Sequence, residues 1–375
     1  MHLIGLERRK SEVSENKLLR SAEKAAFSLR SLYKQYGYQP FKMSKFEEYD
    51  LYVRNKDFLV SDNVITFNDT DGRLLALKPD VTLSIIKNST YEPGCKQKVY
   101  YNENVYRVSP KVHRFKEIMQ TGLECIGDTG ILDTYEVIDL AAKSLALISE
   151  KFVIDISHLG ILSRVLEGAC EKRGFIKEAT RLIAEKNKHE IFALCREYSV
   201  SPEYAEIISG FVDMYGDMDE VLRRLSVICD NVGAEDAYRE LRELCTLLLK
   251  SDYKDNLRLD FSVVNDMSYY NGVVFKGFLQ GIPEGVLSGG EYGTLMSRMG
   301  KPSGAVGFAI YLDMLEELPQ PSREYDVDVL LTIGENADTG EVLALKSRLI
   351  SEGKSVSVQK AVPKKLRYKE IINIG

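Results

Sequence analysis

Residues 99–127 read VYYNENVYRVSPKVHRFKEIMQTGLECIG, and this stretch decides the fold. Val99 to Val108 is rich in Tyr and Val, side chains that favour strands. Ser109 to Lys116 carries Pro110, Lys111, His113, Arg114 and Lys116 and reads as a basic loop. Ile118 to Ile126 runs at period two, so Gln120, Gly122, Glu124 and Ile126 share one face of a second strand. Gly122 leaves a gap between an amide and a carboxylate, and such a pair can hold a small polar ligand. A solvated sheet face shows the same residue types, so this stretch by itself leaves both readings open.

Working outward, the 375 residues suffice for a sizeable core and two or three domains. A net charge of −6 gives no general attraction for nucleic acid, although a local basic patch is still allowed. The six cysteines contain no C-x-x-C pair and the four histidines are isolated, which points to reduced, mostly buried thiols and no metal site. No apolar run has signal-peptide or membrane-spanning character, so the expected location is the cytoplasm and no membrane partner is expected.

Toward the N-terminus, Leu18, Leu19, Ala22, Ala25, Ala26, Leu29, Leu32 and Tyr33 recur at helical spacing, which predicts a helix over 11–36 stopped by Gly37. Tyr38 to Phe41 is a short strand. Val64–Phe67 and Arg73–Leu77 form a hairpin around Asp69-Thr70-Asp71-Gly72. Next, Pro79 marks a helix start, and Asp80 falls in the first turn, where the dipole favours a carboxylate.

Toward the C-terminus, a long helix is expected over 131–151 and a strand over 152–157. The chain from 158 to 250 looks all-helical, and its charged residues read as a solvated face. Strands follow at 257–261, 272–278, 286–293 and 304–310, with a helix from Tyr311 to Leu318. Tyr269 and Tyr270 read locally as a core aromatic pair. Pro319 and Pro321 mark a linker, and residues 325–375 read strand, helix, strand, short helix, strand.

The string Arg114 to Gly127, RFKEIMQTGLECIG, resembles motif 2 of class II aminoacyl-tRNA synthetases in its histidyl form. The segment from Tyr38 to Tyr52 resembles the dimer-forming motif 1, and Leu77-Lys78-Pro79-Asp80-Val81-Thr82 resembles the R-P-E-G-T substrate motif. The resemblance implies an α+β fold: a class II synthetase-like antiparallel sheet flanked by helices, with a helical insertion and a small C-terminal α/β tail. The core would take residues 1–157 and 251–318, the insertion 158–250, and a truncated anticodon-binding-like domain 319–375.

By the same resemblance, Asp80, Gln120, Glu124 and Tyr270 line a histidine pocket. Arg107 matches the arginine that holds the ATP α-phosphate, and Arg107 with Arg114 is a residual anion-binding candidate. A carboxylate pair suits an ammonium group, and Gln and Tyr can pair with imidazole nitrogens. The departures concern the nucleotide. Asn265 stands where V-R-G-L-D-Y-Y has its arginine, and Met314 where motif 3 has its ATP-binding arginine. Glu291 replaces the arginine of A-G-G-R-Y-D. Arginine is not replaceable at planar phosphate contacts. An amino-acid pocket kept and a nucleotide site lost resembles the regulatory subunits of ATP phosphoribosyltransferase. That implies no catalysis, no cofactor, and feedback by histidine. It also implies a dimer that joins a short catalytic subunit in a hetero-oligomer, and no binding of tRNA. The alternatives are a divergent histidyl-tRNA synthetase or a stand-alone amino-acid or RNA sensor.

Overall fold

In the computed structural model, which describes residues 21–56, 59, 63–108, 114–264, 269–318 and 324–375, the long hairpin is the spine of a nine-stranded sheet. The chain divides into two compact units, Met1–Leu318 and Pro319–Gly375. The strands of the first are β1 (Gln39–Pro40), β2 (Phe46–Glu48), β3 (Thr66–Asn68), β4 (Leu74–Leu77), β5 (Lys96–Val108), β6 (Phe115–Gly127), β7 (Phe152–His158), β8 (Tyr215–Gly216), β9 (Leu257–Asp260), β10 (Val273–Leu279), β11 (Leu287–Glu291) and β12 (Gly304–Tyr311). The sheet order is β1-β5-β6-β12-β11-β10-β7-β9-β8. It is antiparallel through its centre, with parallel pairings at β1–β5 and β7–β9. The expected 63–77 hairpin forms as β3 and β4, pairs with β2 in a separate small sheet, and turns at Gly72, whose φ is +87°.

Alternation along β5 and β6 sends their side chains into two different cores. Tyr100, Leu123 and Cys125 enter the main core, which they share with the helices Ser21–Gln35 and Ile131–Ile148. Val99, Tyr101, Val105 and Ile126 enter a second core on the opposite face. Ala25, Ala26, Leu29 and Tyr33 give the first helix its buried stripe, and the chain leaves it through Gly37 at φ +83°. The part of that predicted helix over 11–20 lies outside the described residues. So do most of the basic loop (109–113), the segment 265–268 with Asn265, and Pro319 and Pro321.

The stretch 158–250 is helical apart from the short strand β8, and Leu162, Val165, Leu182, Leu225 and Leu244 extend the main core. The helix expected after Tyr311 is the 3-10 segment Leu312–Glu317. One expectation shifts near Pro79. The helix is Thr82–Asn88, so Asp80 precedes its first turn instead of lying in it. It still acts as a cap, because its Oδ1 accepts from the Leu83 N–H at 2.9 Å.

The second unit is a parallel three-stranded sheet. It comprises β13 (Val327–Ile333), β14 (Val356–Gln359) and β15 (Tyr368–Ile374) in the order β14-β13-β15. The helix Thr339–Ser351 packs Leu349 against Val329 and Leu331. The short helix expected before the last strand is absent, and turns span 360–367 instead. Among the described residues, no helix is long and apolar enough to cross a membrane. Nor do three or more His, Cys, Asp or Glu side chains there group to hold a metal ion.

Candidate functional site

Strand register assembles the site. Across β5, β6 and β12 the partners run Glu103–Gln120–Tyr311, then Tyr101–Gly122–Ala309, then Val99–Glu124–Gly307. Ser288 and Gly290 of β11 continue the last two rows. Small residues at Gly122, Gly307, Ala309, Ser288 and Gly290 therefore make a depression in one face of the sheet, with Gln120 and Glu124 at its rim. The result is a cavity of about 310 Å³ lined by Asp80, Thr82, Tyr101, Arg107, Gln120, Glu124, Tyr269, Tyr270, Tyr292 and Tyr311, among others. That volume is at the small end of the ~300–1,000 Å³ usual for small-molecule sites.

Three of the glycines are required by the groups that crowd their backbone. A Cβ on Gly307 would overlap Glu124 Oε2. A Cβ on Gly122 would overlap the Phe308 carbonyl oxygen and lie 2.6 Å from the Tyr101 hydroxyl, and one on Gly290 would lie 2.8 Å from both Tyr270 Cδ1 and the Val273 carbonyl oxygen. The gap that Gly122 leaves in the sequence is thus taken up by the Tyr101 phenol from the facing strand.

Glu124 is 3% exposed. Its Oε1 accepts from the Thr82 hydroxyl at 2.8 Å and its Oε2 from the Tyr292 hydroxyl at 2.6 Å. Burial pushes its carboxyl up to about 8. The Tyr292 and Thr82 hydroxyls pull down, and nearby Asp80 adds to the rise. Burial also raises the Asp80 carboxyl, against the pull of the Arg107 guanidinium and the Leu83 and Thr82 backbone N–H groups. The phenols of Tyr101, Tyr269, Tyr270 and Tyr292 are all held well above their ordinary value, first by burial and then by neighbouring acids and phenols. Two buried carboxyls thus face a ring of neutral hydroxyls. A cationic or N–H-donating ligand suits that arrangement, because it relieves the cost of ionising them.

Arg107 also lines the cavity, yet its guanidinium is engaged. Nε donates to the Pro79 carbonyl at 2.6 Å and an Nη to Asp80 Oδ2 at 3.5 Å. It holds the Pro79-Asp80 corner in place. Gln120 is the opposite case: it is 2% exposed, and its Nε2 has no hydrogen-bond partner among the described residues. A buried amide donor left unpaired costs roughly 1–3 kcal/mol, so it is suited to an acceptor on a ligand.

Asp80, Gln120, Glu124, Tyr270 and Arg107, singled out from sequence, all converge here. Arg114 does not: it is exposed and lies outside the lining. Sequence reasoning missed Thr82, Tyr101, Tyr292 and Tyr311. Thr82 is the first residue of the Thr82–Asn88 helix, and in the sequence only the motif string Leu77 to Thr82 contains it. Met314, in the arginine position of motif 3, packs against the main core.

A family model described as histidyl-tRNA synthetase matches residues 14–315. A relative from Oceanobacillus iheyensis, named ATP phosphoribosyltransferase regulatory subunit, is 29% identical over 86% of this chain and 81% of its own length. A crystal structure from Bacillus halodurans, titled as an ATP phosphoribosyltransferase regulatory subunit/histidyl-tRNA synthetase, superposes with a TM-score of 0.74. It is 22% identical and covers 94% of each chain. A chain of an ATP phosphoribosyl transferase complex from Thermotoga maritima is similar at TM-score 0.60 and 20% identity, over 78% of this chain and 97% of that one.

Proposed function

The chain belongs to the histidyl-tRNA synthetase family, and from that premise we propose that it is a non-catalytic regulatory subunit of ATP phosphoribosyltransferase. It would join a separate catalytic subunit in a hetero-oligomer for the first step of histidine biosynthesis, in the cytoplasm, and make that step responsive to histidine. Relatives carrying the regulatory-subunit name align over most of the chain, which supports the reading.

The observation that carries it is the contrast within the site. The cavity keeps the buried carboxyls of Asp80 and Glu124, the unpaired Gln120 amide and the Tyr270 phenol. The motif 3 arginine position holds Met314, packed into apolar core, and offers no donor to a phosphate. Amino-acid recognition remains chemically supported, and phosphoryl stabilisation at that position does not.

In this reading Asp80 and Glu124 take the cationic end of histidine, and Gln120 and Tyr270 pair with its ring. The motif 1-like segment builds a two-fold dimer, the commonest closed assembly. The test is co-purification with the catalytic subunit, assayed with and without histidine. The expected result is a complex whose phosphoribosyl transfer requires this chain and falls when histidine is added. A chain that supports histidine-dependent pyrophosphate exchange on its own would overturn the reading.

A further inference from the structure

We infer that Glu291 is a positioning residue that holds the Tyr269–Tyr270 segment over the cavity and so sets how tightly the cavity grips histidine. The inference rests on the histidine reading above. Glu291 itself is not part of the cavity lining, although Ser288 and Tyr292 on either side of it are.

Its carbonyl and one carboxylate oxygen hold the chain just beyond Tyr270, and its other oxygen is anchored to the Ile131–Ile148 helix. The Glu291 carbonyl accepts from the Asn271 N–H at 3.1 Å. Its Oε2 accepts from the Val273 N–H at 2.9 Å, and its Oε1 from the Thr134 hydroxyl at 2.5 Å. Gly272 lies between the two held residues, and a Cβ there would overlap Glu291 Oε2. The Gly272 carbonyl in turn accepts from the Leu159 N–H at 2.9 Å. One residue therefore brackets 271–273 with main chain and side chain, three positions from a ring that rests against Gly290.

The residue type matters. In the family motif A-G-G-R-Y-D this position is an arginine, which has donors and no acceptor. An arginine could not receive either the Val273 N–H or the Thr134 hydroxyl. The change to an acid turns a charge-donating position into an acceptor clamp. Burial raises the Glu291 carboxyl, the Thr134 hydroxyl and Val273 N–H lower it, the Glu240 charge adds to the rise and His158, at the end of β7, opposes it. The clamp works in either protonation state, because a neutral carboxyl keeps an acceptor for Val273 and can donate to Thr134.

The test uses the complex with the catalytic subunit, with calorimetry of histidine binding. Glu291→Ala is expected to weaken histidine about tenfold, the scale of one hydrogen bond to a charged group. Glu291→Gln should stay within about threefold, since its amide can accept from Val273 and donate to Thr134. The double variant Glu291→Ala with Tyr270→Phe should be strongly sub-additive, because the first acts through the second. The chain has 21 tyrosines and no Trp, so the part of the histidine-induced near-ultraviolet tyrosine dichroism that Tyr270→Phe removes reports that ring, and Glu291→Ala should diminish the same part. If Glu291→Ala does not assemble, Thr134→Val, which frees only Oε1, takes its place in the same cycle. Full additivity with Tyr270→Phe, or unchanged affinity in Glu291→Ala while Glu124→Gln weakens binding, overturns the inference and leaves the pocket standing. Unchanged affinity in both Glu291→Ala and Glu124→Gln overturns the pocket reading itself.

Discussion

At Glu124 a buried carboxyl lines the cavity with two hydroxyls on it and, among the described residues, no cation paired with it. At Met314, just past the Tyr311 that lines the same cavity, a thioether packs against the main core where the family motif has an arginine. One position retains a buried polar group that burial disfavours, and the other has exchanged a charge for apolar packing. Stability alone would favour the second change at both places. The contrast is what the proposed histidine site requires: a polar group kept at a cost in stability, beside a position that no longer offers a charge.

The largest expected effect breaks the comparison at its apolar end. Losing one preorganised charge-stabilising donor costs about 10²–10³ in rate. With Asn265 and Met314 in two arginine positions, histidine-dependent pyrophosphate exchange should fall roughly 10⁴–10⁶ below that of a working synthetase. Isotope exchange into ATP measures it. Exchange above that of a Glu124→Ala control would mean that Met314 is tolerated by a live nucleotide site.

Next in size is the polar end. Glu124→Gln should weaken histidine about tenfold to a hundredfold, the loss of a hydrogen bond to a charged group. Folding should survive, because the amide keeps one acceptor and gives one donor, and the Thr82 and Tyr292 hydroxyls can rotate to suit. Thermal unfolding and calorimetry on the same preparation separate the two quantities. Undiminished affinity would make the cavity a relic.

Much of this contrast was legible in the sequence, and the reason the rest was not is geometric. Period two in 118–126 correctly placed Gln120 and Glu124 on one face, because the pleat leaves no other choice. Tyr101 stayed hidden because its place opposite Gly122 depends on hairpin register, which the loop over 109–113 does not announce. Tyr292 reaches Glu124 across 168 residues of chain, and no local pattern encodes such a contact. Gly122, Gly290 and Gly307 were the available signal, since each leaves room for a cavity-lining side chain, Tyr101, Tyr270 and Glu124 respectively, to approach its backbone. In the tail, the short helix expected before the last strand gives way to a turn region that contains Pro363.

Proton linkage sharpens the polar end further. Glu124 sits at about 8 in the folded chain against an ordinary 4.5. A raised acid contributes stability that is fully present below its unfolded value and is lost as pH rises through the folded one. Stability should therefore fall between about pH 4.5 and 8 by at most about 1.4 kcal/mol per unit from this group, and Glu124→Gln should flatten that slope. Histidine, by favouring the ionised carboxyl, should release a proton on binding. Between pH 7 and 8, above the ordinary imidazole value near 6.5, affinity should rise with pH by up to about tenfold per unit. Calorimetry in buffers of different ionisation heat reads the proton count, and proton uptake would contradict the assignment.

The smallest effect concerns Gln120, and its sign carries the information. Its buried Nε2 has no partner among the described residues, and an unpaired buried donor costs roughly 1–3 kcal/mol. Met has similar length and no donor, so Gln120→Met removes that cost while keeping the volume. Water entering a polar cavity can satisfy the amide in part, which limits the expected gain to about 1 kcal/mol or less in denaturant unfolding of the ligand-free protein. The same substitution should abolish any contribution of that donor to histidine binding and weaken affinity about tenfold. Higher stability with weaker binding is what a group held for its ligand must show. If Gln120→Met instead lowers stability and leaves histidine affinity alone, the amide belongs to the fold as Met314 does, and the contrast between the two places disappears.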